Sequence, residues 1–173
     1  ADTDGDLLLE FLWAAGGARR IEEVFVADAD SKIMNLWTVR DAAAELSPGV
    51  GYMHTYDVSL NVGDMGYFGE EVETRLRAEW PDAILGLFGH IGDGNLHIVI
   101  HVGSETRSLH LAIDEVIYGL IQELHGAVSA EHGIGLMKKQ FLPYSKSEPE
   151  IALMKALKQT LDPQGILNPG RVF

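Results

Sequence analysis

Ala83-Ile-Leu-Gly-Leu-Phe-Gly-His90-Ile-Gly-Asp-Gly94-Asn-Leu-His97-Ile-Val-Ile-His-Val102 is the stretch on which the reading turns. Ala83 to His90 and Asn95 to Val102 are β-rich runs, and the Ile-Gly-Asp-Gly between them has turn chemistry, so the segment reads as a hairpin. Before it, Tyr52 to Leu60 alternates as a strand. Asp64 is placed to N-cap a helix running to about Trp80, with Pro81 beyond its end. After it, Glu105 to His125 reads as a long helix closed by Gly126, and Ala127 to Glu131 as a short strand. Further out, Leu7 to Ala15 reads as a helix closed by Gly16-Gly17, Glu23 to Ala27 as a strand, and Asp30 to Leu46 as a helix. Gly135 to Tyr144 and Glu148 to Leu161 read as helices, and the tail from Asp162 to Arg171 as irregular.

From Tyr52 to Glu131 the order is β-α-β-β-α-β, the split βαβ arrangement. The expected fold class is therefore α+β, a ferredoxin-like antiparallel sheet with helices packed on one face. Strand order 4-1-3-2 would put His97 on a central strand and Glu131 on an edge two strands away. That is a gap of about 10 Å, which facing side chains could bridge.

The 173 residues fit one domain, and 46% hydrophobic content suffices for a core. A net charge of −13 argues against nucleic acid and against an anionic membrane surface. An anionic substrate stays open, because one or two local cations outweigh a distant field. With no cysteine there is no disulfide, thiolate metal site or cysteine nucleophile. That fits a reducing compartment, and the expected location is cytoplasmic. No run approaches the roughly 18 apolar residues of a membrane span. The chain starts without Met and without a signal-peptide core, and is read as a piece of something longer.

Two histidines, His90 and His97, flank the turn, and Glu131-His132 follows later. Two imidazoles and a carboxylate form a divalent-metal ligand set that leaves a position open, the catalytic pattern. The alternative is a hairpin with two partly buried histidines. His132, freed by Gly133 and Gly135 to bend toward the same place, could act as a base; otherwise it is an ordinary residue opening a helix. Asp93 and Asn95 are ordinary turn residues, or they support the ligands from behind. Arg40, in Trp37-Thr-Val-Arg40, is a solvated helix arginine or a carboxylate clamp. Asp57, on the Tyr52–Leu60 strand, is expected to be buried or hydrogen-bonded, with no assigned role.

Three motifs in order, Gly89-His-Ile-Gly-Asp-Gly-Asn-Leu-His97, Ser129-Ala-Glu-His-Gly-Ile-Gly135 and Leu161-Asp-Pro-Gln-Gly-Ile-Leu-Asn-Pro-Gly-Arg171, closely resemble the C-terminal domain of FAD-linked 2-hydroxyacid dehydrogenases. That group includes D-lactate and D-2-hydroxyglutarate dehydrogenases and the flavin subunit of glycolate oxidase. Trp37-Thr-Val-Arg40 and Tyr56-Asp-Val-Ser-Leu60 are weaker matches in the same order, so the resemblance covers nearly the whole chain. It implies that His90, His97 and Glu131 hold a divalent metal, most readily zinc. It implies that His132 takes the substrate hydroxyl proton, that Arg40 pairs with substrate carboxylate, and that the tail at Asn168 turns toward the flavin. FAD would be bound mainly by a separate N-terminal domain, which this chain lacks.

The resemblance further implies that the parent enzyme oxidises a D-2-hydroxy acid to the 2-oxo acid and passes electrons to an acceptor the sequence does not identify. A homodimer stays open. The rival from another class is a non-catalytic ferredoxin-like ligand-binding or regulatory module, against which the histidine motifs speak. There are departures. Many relatives have Lys where this chain has Thr55, Asn where it has Val99, and Pro where it has Asn61. A dicarboxylate needs charge compensation at both ends, so the loss of that lysine favours an acid such as D-lactate over D-2-hydroxyglutarate.

Overall fold

The computed structural model describes residues 2–17, 24–42, 51–103 and 106–173, the side chains of residues 2 and 3 excepted. The chain divides into two units, Ala1–Leu46 and Ser47–Phe173. In the first unit the described elements are α1 (Asp2–Gly17) and α2 (Asp30–Asp41). Helix α1 runs through the two glycines expected to close it. Helix α2 ends sooner than expected, and residues 43–46 lie outside the described ones. The strand expected at Glu23–Ala27 is not formed. Residues 24–28 have no regular structure, and Glu23 lies outside the described residues. A strand needs a neighbour's backbone to pair with, and none stands beside these residues among those described.

The second unit runs β1 (His54–Ser59), a 3-10 turn (Val62–Asp64), α3 (Met65–Glu79), β2 (Ile84–His90), β3 (Asn95–His101) and α4 (Arg107–Glu123). It continues with a second 3-10 turn (Lys139–Phe141), α5 (Leu142–Ser145) and α6 (Glu148–Leu161). The three strands form an antiparallel sheet in the order β1-β3-β2. The α+β class, the hairpin and the central place of His97 are as the sequence implied. Residues alternate between faces along each strand. Tyr56, Val58, Leu96, Ile98 and Ile100 point to one face and pack with Phe68, Val72 and Leu76 of α3 and Ile113, Ile117, Leu120 and Ile121 of α4. The helices thus cover one face, and the other is left for chemistry.

Helix ends follow local side-chain chemistry. Asp64 stands at the start of α3, but its carboxylate makes no capping bond, contrary to expectation; it closes the preceding 3-10 turn instead. Thr106 caps α4 through Leu109 N–H at 3.2 Å. Ser147 and Glu150 form a capping box at α6. At the end of α4 it is His125, at φ 55°, that takes the left-handed conformation. Gly126 N–H then closes on Ile121 O at 2.8 Å. Gly126 is needed for space, since a Cβ there would lie 2.6 Å from Ser59 O.

The fourth strand is reduced to one bridge. Ser59 and Ala127 exchange both backbone hydrogen bonds (3.0 and 2.8 Å), on the outer side of β1 where a fourth strand belongs. Beyond them the ladder stops because side chains take its donors. Val128 N–H goes to Ser145 Oγ at 2.8 Å, and the next amides turn to Asp57. The helix expected over Gly135–Tyr144 is cut back to the second 3-10 turn and α5, because Gly135 sits at φ 54°, outside a right-handed helix. The irregular tail is pinned: the Asp162 carboxylate accepts from Ile166 N (3.0 Å) and Leu167 N (2.9 Å), and Val172 N–H reaches Gly135 O at 2.9 Å.

The hairpin turn is the tightest point. Gly94 has φ 76°, and a Cβ would lie 2.0 Å from Leu60 O, while Leu60 N–H bonds Gly94 O at 2.9 Å. Gly94→Ala should therefore destabilise the protein by about 1–3 kcal/mol from the strained backbone alone. Gly92→Ala, where nothing lies within 4 Å of the added Cβ, should cost about 0.5 kcal/mol or less. Urea unfolding of both variants checks this, and equal costs would contradict it.

Candidate metal and proton-transfer site

The strand register lays the site out in rungs on the helix-free face. Ser59, Asn95 and His90 form one rung; Asp57, His97 and Phe88 form the next; Thr55, Val99 and Gly86 form the third. Same-face rungs are about 7 Å apart. His90 and His97 are on neighbouring rungs of adjacent strands, and their rings meet edge to face at 5.8 Å.

Glu131 arrives from the loop after the Ser59–Ala127 bridge. Its Oε1 lies 3.6 Å from His90 Nε2 and its Oε2 lies 3.8 Å from His97 Nε2. One donor atom from each of His90, His97 and Glu131 falls within 4.8 Å of the others. The edge-strand position expected for Glu131 is corrected: the loop folds over the sheet and closes the expected gap. The His132 ring stacks on His97, centroids 5.6 Å apart and planes 20° from parallel.

What folds the loop this way is Asp57, which is fully buried. Its Oδ2 accepts from Ser129 Oγ (3.2 Å) and from the backbone N–H groups of Ala130 (3.0 Å), Glu131 (2.9 Å) and His132 (2.8 Å). Lys138 Nζ stands 3.7 Å from Oδ2 and donates to Asp57 O and Ser129 Oγ at 3.0 Å each. Burial alone would raise the Asp57 pKa. The His132 and Glu131 amides, with Lys138, outweigh it and hold the carboxyl below its ordinary range. Burial lowers the Lys138 pKa, with Asp57 opposing. The sequence reading gave Asp57 no role and left Lys138 out. A lone acid between the core residues Tyr56 and Val58 was the available signal, since a buried carboxylate must find donors.

Of the supporting residues, Asp93 is a turn former: its Oδ1 accepts Asn95 N–H at 3.0 Å. Asn95 is buried, 3% exposed, on the same face as His90 and His97, and neither atom of its amide is hydrogen-bonded among the described residues. Asn168 is exposed at φ 46°, in the turn it closes with Arg171. Arg40 belongs to α2 of the first unit, where it meets Asp41 at 2.9 Å and the Trp37 ring at 5.7 Å.

The opposite face carries a second polar cluster that the sequence reading missed. His54 Nδ1 and His110 Nδ1 are 2.7 Å apart, His110 Nε2 is 3.7 Å from Asp114, and Tyr56 OH donates to Asp114 at 2.9 Å. Burial holds Asp114 above its ordinary range despite the Tyr56 hydroxyl and His110. The His110–Asp114 spacing on one helix was the sign of it.

Comparison with known proteins shows the family. The family model described as "FAD linked oxidases, C-terminal domain" matches residues 7–172. The D-2-hydroxyglutarate dehydrogenase of Stutzerimonas stutzeri is 35% identical over 86% of this chain and 33% of its own length. The mitochondrial D-2-hydroxyglutarate dehydrogenase of Danio rerio is 36% identical over 98% of this chain and 31% of its own. A D-2-hydroxyglutarate–pyruvate transhydrogenase of Saccharomyces cerevisiae is 35% identical over 96% and 35%. The chain belongs to the C-terminal domain family of the FAD-linked oxidases. It spans about a third of the length of these curated relatives. No helix among the described residues is long and apolar enough to cross a membrane.

The lowered Asp57 pKa makes a pH prediction with a definite sign. The stabilisation is complete above the ordinary carboxylate pKa and is lost as pH falls below it, through the lowered native value. Asp57→Asn lacks this component. The stability difference between wild type and variant should therefore shrink as pH is taken from about 5 to about 2. Urea unfolding at successive pH values reads it, and a constant difference would contradict the assignment.

Proposed function

We propose that this chain is the substrate- and metal-binding part of an FAD-dependent dehydrogenase that oxidises a D-2-hydroxy acid to the 2-oxo acid. The observation that carries it is the meeting of His90, His97 and Glu131 with His132 stacked beside them. Two imidazole nitrogens and a carboxylate suit Zn²⁺ or a similar borderline ion, with a coordination position left over. When bound, such an ion supplies Lewis acidity toward a hydroxyl and carboxylate oxygen.

This chain's own residues do the rest. His97, Phe88 and the loop above them hold the acid with its C2 hydroxyl toward His132. His132 takes the hydroxyl proton as the C2 hydrogen leaves with its electron pair for the flavin, giving the 2-oxo acid. Arg40 pairs with substrate carboxylate. The Asn168 turn faces the flavin, which a separate domain of the full-length enzyme binds. The flavin passes its electrons to an acceptor. We place the protein in the cytoplasm, a compartment with which a cysteine-free chain is compatible. His132→Ala should lower kcat by about 10²–10⁴ with little change in KM. His90→Ala should remove the bound metal, read by elemental analysis of the purified full-length protein. Unchanged kcat in the first variant would remove His132 from the reaction.

The acid's side chain is read at the third rung. Thr55, Val99 and Gly86 carry no charge, and Val99 Cγ2 would stand 2.7 Å from a Cβ added at Gly86, filling that space with methyl groups. Thr55 is exposed, so a second carboxylate there keeps part of its water and lacks only the partner a lysine would give, worth about 1 kcal/mol or less. The favoured substrate is therefore an acid with a small or apolar side chain, such as D-lactate, although the relatives named above are called D-2-hydroxyglutarate enzymes. The check is kcat/KM of the full-length enzyme on both acids, with D-lactate expected higher. Preference for D-2-hydroxyglutarate would show that another cation replaces the missing lysine.

A further inference from the structure

We propose that Asp57 is a positioning residue for the divalent-ion site: one oxygen fixes the tautomer of His97 while the other fixes the loop that presents Glu131 and His132. The inference rests on the metal reading above and deepens it.

The two oxygens have separate tasks. Oδ2 is saturated by Ser129 Oγ and the three amides of Ala130, Glu131 and His132. Oδ1 is buried and makes no hydrogen bond among the described residues. Its neighbour is His97 Nδ1, 3.7 Å away. That is longer than a hydrogen bond, but it sets the direction of the exchange, because an ionised carboxylate only accepts. A neutral imidazole carries one N–H and one lone pair. Glu131 Oε2 stands at a similar 3.8 Å from Nε2, but Glu131 is half exposed and can be met by water, whereas Asp57 Oδ1 is buried without another donor among the described residues. Nδ1–H therefore turns to Asp57 and the lone pair lies on Nε2, facing Glu131. A carboxylate behind a ligating histidine raises its basicity and fixes its ring. The same side chain therefore prepares a ligand on β3 and aligns the loop ligand with it, so the two come from different parts of the chain already in register.

Asp57, His97 and His132 also offer atoms within 4.8 Å of one another. An ion there would need Oδ2 to give up its four donors, or Nδ1 of His97 to serve as a ligand in place of Nε2. The positioning role leaves every one of these contacts in place.

Asp57→Asn separates the roles. An amide can still accept from the loop through its oxygen, but its NH₂ then faces His97 Nδ1 and favours the opposite tautomer. Lys138→Met is the companion variant. It disturbs the Oδ2 side and the Lys138 contacts with Asp57 O and Ser129 while leaving Oδ1 against His97. Two measurements on the full-length protein decide. The first is ¹⁵N chemical shifts of selectively labelled histidine in metal-free protein, which report the tautomer without any metal. The second is zinc affinity by chelator competition. The expected results are an Nδ1–H tautomer for His97 in wild type and in Lys138→Met, lost in Asp57→Asn. Zinc affinity should fall about 10–100-fold in Asp57→Asn and less than about threefold in Lys138→Met.

An Nε2–H tautomer in wild type overturns the proposal, as does equal loss of affinity in both variants, which would reduce Asp57 to a loop anchor. Wild type that holds the Nδ1–H tautomer but binds no zinc would sink the metal reading while leaving the Asp57–His97 contact established. Zinc affinity lost in His132→Ala but kept in His90→Ala would place the ion at the Asp57 cluster and also overturn the proposal.

Discussion

A buried carboxylate with four donors on one oxygen is the constraint from which the site follows. Asp57 lies in a strand whose neighbours Tyr56 and Val58 are core residues. Taking a charge out of water is costly unless hydrogen bonds replace the lost hydration. The loop after Ala127 provides them, and in doing so it gives up continuing as a fourth strand. The amides that would have extended the ladder are aimed instead at one oxygen atom. Glu131 is carried over the sheet to the histidines by that diversion.

The sheet makes this possible by dividing its faces. On one face the alternate residues are mostly aliphatic and aromatic and pack on α3 and α4; the other includes Asp57, Asn95, His97, Phe88 and His90. The same two-residue period therefore serves stability and chemistry at once. This polar face has a firm floor because the residues between its side chains are locked in the core. The turn that brings His90 back beside Asn95 is held by the Gly94–Leu60 bond, so glycine there is a requirement of the site's floor.

Much of this was legible in the sequence, for stated reasons. The hairpin, α3, α4 and α6 had periodicity and end signals, and each was found within a few residues. His90, His97 and Glu131 were picked out by residue type and ordered motifs, and they meet. The main errors come from reading local pattern alone. The Glu23–Ala27 strand and the fourth strand were read from local pattern, while their outcome depended on pairing partners far along the chain; the Gly135–Tyr144 helix was cut short by the left-handed backbone at Gly135. Val128 is claimed by Ser145 and residues 130–132 by Asp57. The role of Asp57 was hidden for the same reason: a carboxylate's donors, when they are backbone amides, leave no trace in residue type.

Charge completes the account. The chain carries −13, yet on the proposed reading it receives an anion. The Asp57 charge is spent on its own loop and on Lys138, so it presents little field to a ligand. Glu131 is directed at two imidazoles. Left alone, a carboxylate and neutral histidines give an incoming carboxylate no attraction. With a divalent cation among His90, His97 and Glu131 the local sum becomes positive, and at contact distance this outweighs dispersed surface charge screened within about 10 Å. The substrate's affinity and the ion's affinity are then linked, each strengthening the other by the same factor. On the same reading, specificity for the acid's far end falls to the rung of Thr55, Val99 and Gly86, whose side chains carry no charge.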